Sequence, residues 1–226
     1  MGRKPMRDST SHAVLAVAMR VDGGGLEALL RRVERLPGES LAGAVRRAID
    51  VGRLAHLEQL ETRILRDGTL ATAYLGLARP GTEPDGDWRV VGTRTPPDER
   101  ELVAAAQARL RAKLSYTNLG FALAPEVFTI SELRDVYVAA LGHDVSATNL
   151  QRVLLRRGAL ERVDGLRAPG RAGGRPAALF RFASQRLEVT DEFAALRPPR
   201  SELRTPGTVP TTRLNETRRR ECRASG

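Results

Sequence analysis

Residues 128–182 constrain the fold of this chain more than any other stretch of its sequence. The first part of this segment predicts two short helices joined by a tight turn at Gly142-His143-Asp144. The second part predicts two strands joined by a loop rich in glycine and arginine. Helix, turn, helix and basic hairpin in this order are typical of a winged helix, a small domain that docks on duplex DNA. We therefore predict a winged helix-turn-helix in the C-terminal half of the chain.

The second predicted helix, at about residues 146–157, has the surface that a recognition helix requires. Leu150, Val153 and Leu154 form its inward face, and Gly158 follows it as a typical helix terminator. Its outward side chains can bond adenine, guanine or phosphate and touch a thymine methyl group. These predicted DNA contacts are Thr148, Asn149, Gln151, Arg152 and Arg156.

The first helix and the hairpin are expected to add contacts to the DNA backbone. Thr129 or Ser131 caps a helix that ends near residue 141, and both residues are predicted DNA contacts. Its inward side chains are Leu133, Val136, Tyr137 and Ala140. The wing strands are predicted at residues 159–163 and 177–182. The loop between them carries Arg167 and two further predicted DNA contacts, Arg171 and Arg175, suited to the DNA backbone or a minor groove.

The distribution of charge agrees with a nucleic-acid partner. The formal net charge is +10, and nearly all of the basic residues are arginines. Residues 145–182 hold eight arginines against Glu161 and Asp164, a local charge of +6. Arginine bonds phosphate and guanine edges bidentately, although a GC-rich genome would also enrich arginine without any such function.

The N-terminal half predicts strands and helices in alternation. Strands are expected at residues 12–21, 26–33, 56–64 and 70–78, with a short one at 88–91, although 26–33 taken alone is also compatible with a helix. Residues 40–51 have helical spacing, with Ser40 as the N-cap. A longer helix at 98–118, capped by Asp98, is expected to connect two domains. Its inward residues are Leu102, Ala105, Ala106, Leu110 and Leu114.

The sequence carries no pattern for a metal, a disulfide framework or a membrane anchor. Cys222 is the single cysteine, and His12, His56 and His143 are scattered. No apolar run approaches the length of a membrane span, and no signal-peptide core follows the basic start. We therefore predict no cofactor or metal, no membrane partner and a cytoplasmic location.

Three motifs give the chain a family resemblance: FTISELRDVY at 128–137, NLQRVLL at 149–155 and GGRPAALFRF at 173–182. With RLRAKLSYTNLGFALAP at 109–125, they resemble the NrtR-like, Nudix-related transcriptional regulators, and the likeness extends over about residues 12–182. Members of that family often carry arginine where this chain has Thr148, so the resemblance does not predict the operator sequence.

The resemblance implies an α+β protein, with an N-terminal Nudix-like α/β/α sandwich and a C-terminal winged helix-turn-helix. The expected organisation is a disordered N-terminus (1–10), a degenerate Nudix-like domain (11–97), a linker helix (98–120), the winged helix (121–190) and a disordered basic tail (191–226).

The helix that would carry Nudix catalysis lacks most of its acidic residues. A Nudix hydrolase has the pattern GX5EX7REUXEEXGU, whose glutamates hold Mg2+ on a diphosphate. In LPGESLAGAVRRAIDVGRL (36–54), Glu39 and Arg47 keep the EX7R spacing, but Ala48-Ile49-Asp50-Val51-Gly52 replaces the acidic end. Asp50 is one residue out of register, which turns its side chain by about 100° on a helix. We therefore predict that the domain is not an enzyme.

The resemblance also implies a function. Proteins of this family are bacterial repressors of NAD-metabolism genes that sense ADP-ribose-type nucleotides. The segments HLEQLET (56–62) and TAYLGLA (72–78) resemble the family's strands beside the ligand cleft, and the predicted ligand contacts are Arg32, Arg47 and Glu58.

The chain is therefore expected to be a homodimeric repressor that binds a double-stranded DNA operator and an ADP-ribose-like effector. Two alternatives stay open at this point. One is an active Nudix nucleoside-diphosphate hydrolase with an accessory basic domain, and the other is a scaffold that binds neither nucleotide nor specific DNA.

Overall fold

A five-stranded mixed sheet forms the N-terminal half of the structure. This computed structural model describes residues 12–49, 51–92, 96–168 and 176–191, apart from the side chains of Val51 and Asp98. The strands run in the order β3-β4-β1-β2-β5, with β1 parallel to β4 and the other neighbours antiparallel. Their bounds are β1 Ala13–Asp22, β2 Gly25–Val33, β3 His56–Ile64, β4 Leu70–Leu77 and β5 Arg89–Val90. Residues 26–33 therefore form a strand, not a helix.

The central strand β1 is buried on both faces, which explains its nearly continuous apolar sequence. Val14 and Ala16 pack with Ala44 and Val45 of helix α1 (Leu41–Ala48). The alternate residues of β1 belong to the core beneath helix α2 (Pro97–Tyr116). Since α1 and α2 cover opposite faces of the sheet, the predicted α/β/α arrangement is confirmed.

Both helices of this half differ from their predicted bounds. The α1 helix begins after Ser40, whose hydroxyl accepts a hydrogen bond from the Gly43 backbone N–H as predicted. It ends at Ala48, three residues earlier than expected, and a 3-10 turn follows at Val51–Arg53. The α2 helix begins one residue before Asp98, with Pro96 at its N-cap position, so the prediction that Asp98 caps it is wrong. Proline suits this end because it has no N–H to satisfy.

The winged helix follows the same chain order as predicted. It consists of α3 (Ile130–Leu141), α4 (Ala147–Arg156), β6 (Leu160–Arg167) and β7 (Ala177–Phe182). Gly142 ends α3 in the left-handed conformation, with φ of 76°. The hairpin closes onto the rest of the domain through reciprocal backbone hydrogen bonds of 2.9 and 2.8 Å between Phe128 and Phe180.

A single hydrophobic core joins the sheet to the winged helix. The stripe Leu102, Ala106, Leu110 and Leu114 of α2 is buried, as expected from its spacing, whereas Ala105 is half-buried. The same core continues through Phe128, Leu133 and Leu154, and α3 also contacts β1 and β2. The described residues, up to Asp191, belong to one compact unit. Over the ranges that the structure describes, no helix is both long and apolar enough to cross a membrane.

Candidate nucleic-acid interface and ligand cavity

The exposed face of α4 carries the polar side chains that the sequence predicts. Ser146 caps the helix by accepting a hydrogen bond from the Asn149 backbone N–H, and Leu150 and Leu154 anchor it to the core. Gln151 is half-buried, and the four other predicted residues are exposed, namely Thr148, Asn149, Arg152 and Arg156. A helix with these side chains outward can hydrogen-bond base edges in a major groove.

Two of these side chains interact with each other. Nη2 of Arg152 donates a 2.8 Å hydrogen bond to Oδ1 of Asn149, one helical turn earlier. This contact orients the guanidinium and leaves its other N–H groups directed away from Asn149. Asn149 therefore positions Arg152 in addition to presenting its own amide.

Arg157, immediately after α4, has a structural role instead. Its guanidinium lies 2.7 Å from Oδ2 of Asp191, and each side chain is 12% exposed. A second N–H donates to the Ser115 carbonyl oxygen at the end of α2, at 2.9 Å. The end of α4 is thus tied to α2 and to the segment after the wing.

That segment, residues 184–191, is fastened across the end of α2. The Asn118 side chain donates to the Arg186 carbonyl oxygen and accepts from the Glu188 N–H, both at 2.8 Å. The Thr190 N–H donates to the Tyr116 carbonyl oxygen at 2.8 Å. No local sequence pattern predicts this arrangement, because the contacts join positions about seventy residues apart and mostly involve backbone atoms.

The first turn of α3 contains the two hydroxyl residues predicted to contact DNA. Thr129 is buried and forms a capping box with Glu132, in which each side chain accepts a hydrogen bond from the other's backbone N–H. Ser131, the second residue of the helix, is exposed. The structure thus assigns the Thr129 hydroxyl to the fold, and a DNA contact stays a prediction for both residues.

The wing is longer than predicted. β6 extends to Arg167, so this residue lies in the strand and not in the loop; it forms a 2.6 Å ion pair with Glu132 of α3. A bulge between Val163 and Leu166 accommodates the extra length. Arg171 and Arg175 lie outside the described residues, so their predicted contacts with DNA stay predictions.

The three predicted ligand contacts are not brought together. Arg47 forms bonds of 3.1 Å with both carboxylate oxygens of Glu39. Glu58 lies on the opposite face of the sheet, beneath α2. Arg32, in contrast, lines a cavity. Strand alternation indicates that neighbouring residues face opposite ways, but it does not say which face a particular helix will cover.

The Glu39–Arg47 contact is the surviving part of the Nudix pattern. The Arg47 guanidinium lowers the pKa of Glu39, and the Leu36 backbone N–H contributes to the same shift. Glu39 thus stays ionised and closes the loop before α1. Among the described residues, which omit Asp50, no group of three or more His, Cys, Asp or Glu is placed to hold a metal ion.

Glu58 belongs to a polar cluster between β3 and α2. It accepts a hydrogen bond from Lys113 and lies 3.3 Å from His56 and 3.6 Å from Arg109. Burial opposes its ionisation, but Lys113 and His56 outweigh this effect and lower its pKa. Burial also lowers the pKa of His56. These contacts fasten the edge strand to α2, and none of the four residues lines the cavity.

The cavity lies between β2, β5 and the first half of α2, with a volume of about 640 Å3. Leu30, Val91 and Val103 give it an apolar wall. Six charged residues also line it, namely Arg31, Arg32, Asp87, Arg89, Glu99 and Arg100. Its volume is within the range of small-molecule sites, and the mixture of apolar wall and arginines suits a ligand with both a ring and an anionic group.

The fold and the exposed α4 surface define the chain as a winged-helix protein with a Nudix-like domain. Residues 120–182 match the NrtR DNA-binding winged helix domain family. The chain is similar to the ADPR responsive transcriptional repressor NtrR of Acinetobacter baylyi, with 39% identity over 88 residues. That match spans 39% of this chain and about a third, 34%, of the relative.

Two solved structures of Shewanella oneidensis NrtR share the fold. The one complexed with a 27mer DNA has a TM-score of 0.64 and 23% identity, covering 75% of this chain and 92% of that chain. The other has a TM-score of 0.61 and 21% identity, covering 76% of this chain and 93% of that one. Residues 120–182 are thus similar to the NrtR winged helix and the fold is similar to that of NrtR, so the resemblance stated from the sequence is confirmed.

Proposed function

We propose that this protein is a transcriptional repressor that binds operator DNA through α4 and the wing and releases it when an ADP-ribose-type nucleotide binds. The observation that carries the proposal is the face of α4, where Thr148, Asn149, Arg152 and Arg156 are exposed together in a domain that matches a DNA-binding family. Two such helices in a symmetric dimer would occupy two half-sites of a palindromic operator. Such a repressor would act in the cytoplasm, beside the bacterial chromosome, and genes of NAD metabolism are the targets to examine.

The cavity beside α2 is the proposed effector site. A cavity of about 640 Å3 accommodates a ligand of nucleotide size, and Arg32, Arg89 and Arg100 offer guanidinium groups for a diphosphate. The apolar wall suits a nucleobase. Of the three residues predicted from the sequence, only Arg32 is retained in this proposal.

The α2 helix provides a connection from the cavity to α4. Its first half lines the cavity through Val103, Ala104 and Gln107, while the Ser115 carbonyl oxygen at its other end accepts from Arg157. A ligand that favours one position of α2 would therefore change the placement of α4. It lowers operator affinity only if it binds the free and DNA-bound conformations with different affinity.

The DNA-binding part of the proposal is tested with a pool of random-sequence duplexes. We expect the protein to enrich a palindromic sequence, and Arg152→Ala to weaken binding to it by about 1–3 kcal/mol, measured by fluorescence anisotropy. The matched control is Arg46→Ala, which removes an exposed arginine from α1, outside the winged helix. Equal losses in the two variants, or no enriched sequence, would contradict the proposal.

The effector part is tested by adding ADP-ribose to the protein–operator complex. We expect release of the DNA, and Ala104→Trp, which places an indole in the cavity, to abolish this response while leaving operator binding intact. Ala108→Trp is the control because Ala108 is exposed on the same helix but does not line the cavity. Release that persists in Ala104→Trp would place the effector elsewhere.

We also infer that the Nudix-like domain does not hydrolyse its ligand. The acidic end of the motif is missing, and Glu39 is occupied by Arg47. Incubation with ADP-ribose and Mg2+ should leave the nucleotide intact by chromatography. Steady cleavage that disappears in Asp50→Asn would instead support the alternative, an active hydrolase.

A further inference from the structure

Leu155 is an apolar side chain on the otherwise polar exposed face of α4. It is 40% exposed, whereas Leu150 and Leu154 of the same helix are buried at 7% and 2%. The core beneath α4 is therefore already filled without it. Its neighbours on the helix surface are Arg152, one turn earlier, and Arg156, the next residue.

Leu155 is aligned with two side chains that the proposed function assigns to DNA. Residues 148, 152 and 155 have the i, i+4, i+7 spacing of a single stripe along a helix. With a rise of about 1.5 Å per residue, Thr148 and Leu155 are about 10.5 Å apart along the axis. This distance equals about three base-pair steps of 3.4 Å when the helix lies along the groove.

The chemistry of the major groove offers one apolar group to such a stripe. Base edges present hydrogen-bond donors and acceptors, except for the C5-methyl group of thymine. Threonine and leucine carry methyl groups that can pack on it, while the arginine between them can bond a guanine edge. The cations on either side of Leu155 favour a polyanionic partner over an apolar protein surface.

We propose that Leu155 is a specificity-determining residue that packs on a thymine methyl group in the operator. A second thymine, contacted by the Thr148 methyl group, lies about three base pairs away in the same half-site, and Arg152 bonds a base between the two. The inference rests on the proposed function, because it requires α4 to enter the major groove. It goes beyond that function by assigning part of the operator sequence to particular side chains.

The experiment uses the operator enriched by the full-length protein, with each thymine replaced in turn by deoxyuridine, which removes only the methyl group. Wild-type protein should lose about fourfold in affinity at each of two positions in a half-site, about three base pairs apart, as expected for one lost methyl contact. The affinity of Leu155→Ala should no longer change when uracil replaces thymine at one of the two positions, and should still fall at the other. Thr148→Ser should show the reverse pattern.

Two further variants distinguish an apolar contact at Leu155 from a general effect of shortening a leucine. Leu155→Gln keeps the length of the side chain but not its apolar character, so it should lose the same methyl preference as Leu155→Ala. Leu36→Ala removes a leucine that is 52% exposed outside the winged helix, and it should keep the complete wild-type profile. Unchanged melting temperatures would exclude loss of folding as the cause.

The outcomes separate this inference from the proposed function. If an operator is enriched and Arg152→Ala weakens binding, but no thymine is sensitive to loss of its methyl group, only the role of Leu155 is overturned. An unchanged uracil profile in Leu155→Ala overturns it as well. If the protein enriches no sequence at all, the proposed function fails and this inference fails with it.

Discussion

Removal of the Asp191 carboxylate tests whether the ion pair between Arg157 and Asp191 stabilises the position of α4. Arg157 and Asp191 are 2.7 Å apart, and each side chain is only 12% exposed. Removing one partner costs about 3–5 kcal/mol for a fully buried pair and at most about 1 kcal/mol for an exposed one. Because this pair is largely but not completely buried, Asp191→Asn should lower the free energy of unfolding by about 2–3 kcal/mol.

Urea and thermal unfolding followed by circular dichroism measure this loss. In a unit of this size it corresponds to a fall in Tm of about 5–10 °C. Asp144→Asn is the matched control: Asp144 pairs with Arg134 in the same domain but is 82% exposed, so its loss should cost less than about 1 kcal/mol. If the two variants lose the same stability, or if Asp191→Asn melts like the wild type, the buried pair does not support the winged helix as argued.

Three further predictions concern buried groups. Tyr137→Phe should raise the free energy of unfolding by about 1 kcal/mol in urea melts, because the buried Tyr137 hydroxyl has no hydrogen-bond partner among the described residues. Gly120→Ala should lower the free energy of unfolding by about 1–3 kcal/mol, because the added Cβ would lie 2.7 Å from the Tyr137 hydroxyl and 2.9 Å from Phe182. This loss should be smaller when Gly120→Ala is combined with Tyr137→Phe, which removes the hydroxyl. Burial lowers the pKa of His56 from its ordinary value, so folding favours the neutral imidazole. The free energy of unfolding should therefore decrease as the pH falls below about 6.5, the ordinary pKa of histidine, and the urea midpoint of His56→Gln should fall less over that range.

Local patterns in the sequence predict most of the elements. The spacing of Leu102, Leu110 and Leu114 identifies the buried face of α2. Ser146 and Gly158 mark the two ends of α4. These features depend on residues within a few positions of each other, where helix periodicity and capping chemistry act. The exposed polar residues of α4 could be predicted for the same reason. The exposure of Leu155 was not predicted, because a leucine in a helical pattern is ordinarily assigned to the core.

The cavity beside α2 could not be predicted in this way. Arg32 and Val103 are about seventy residues apart, and they meet only because β2 lies near the edge of the sheet and α2 crosses it. Glu58 contacts α2 away from the cavity because β3 lies at the opposite edge of the sheet from β5, a strand order that no local pattern indicates. The EX7R spacing of the Nudix pattern singles out Glu39 and Arg47. In the structure these two residues bond each other and close the loop before α1.

The continuity of the core limits how a ligand at the cavity can influence α4. The buried stripe of α2 packs against both the sheet and the winged helix. Close-packed side chains do not slide gradually past one another. A response must therefore move α2 as a rigid element between two packed positions, with Arg157 transferring the movement to the end of α4. To lower operator affinity a hundredfold, the ligand must prefer one position over the other by about 2.8 kcal/mol. A few hydrogen bonds from cavity arginines to a diphosphate, made in one position and lost in the other, supply a difference of that size.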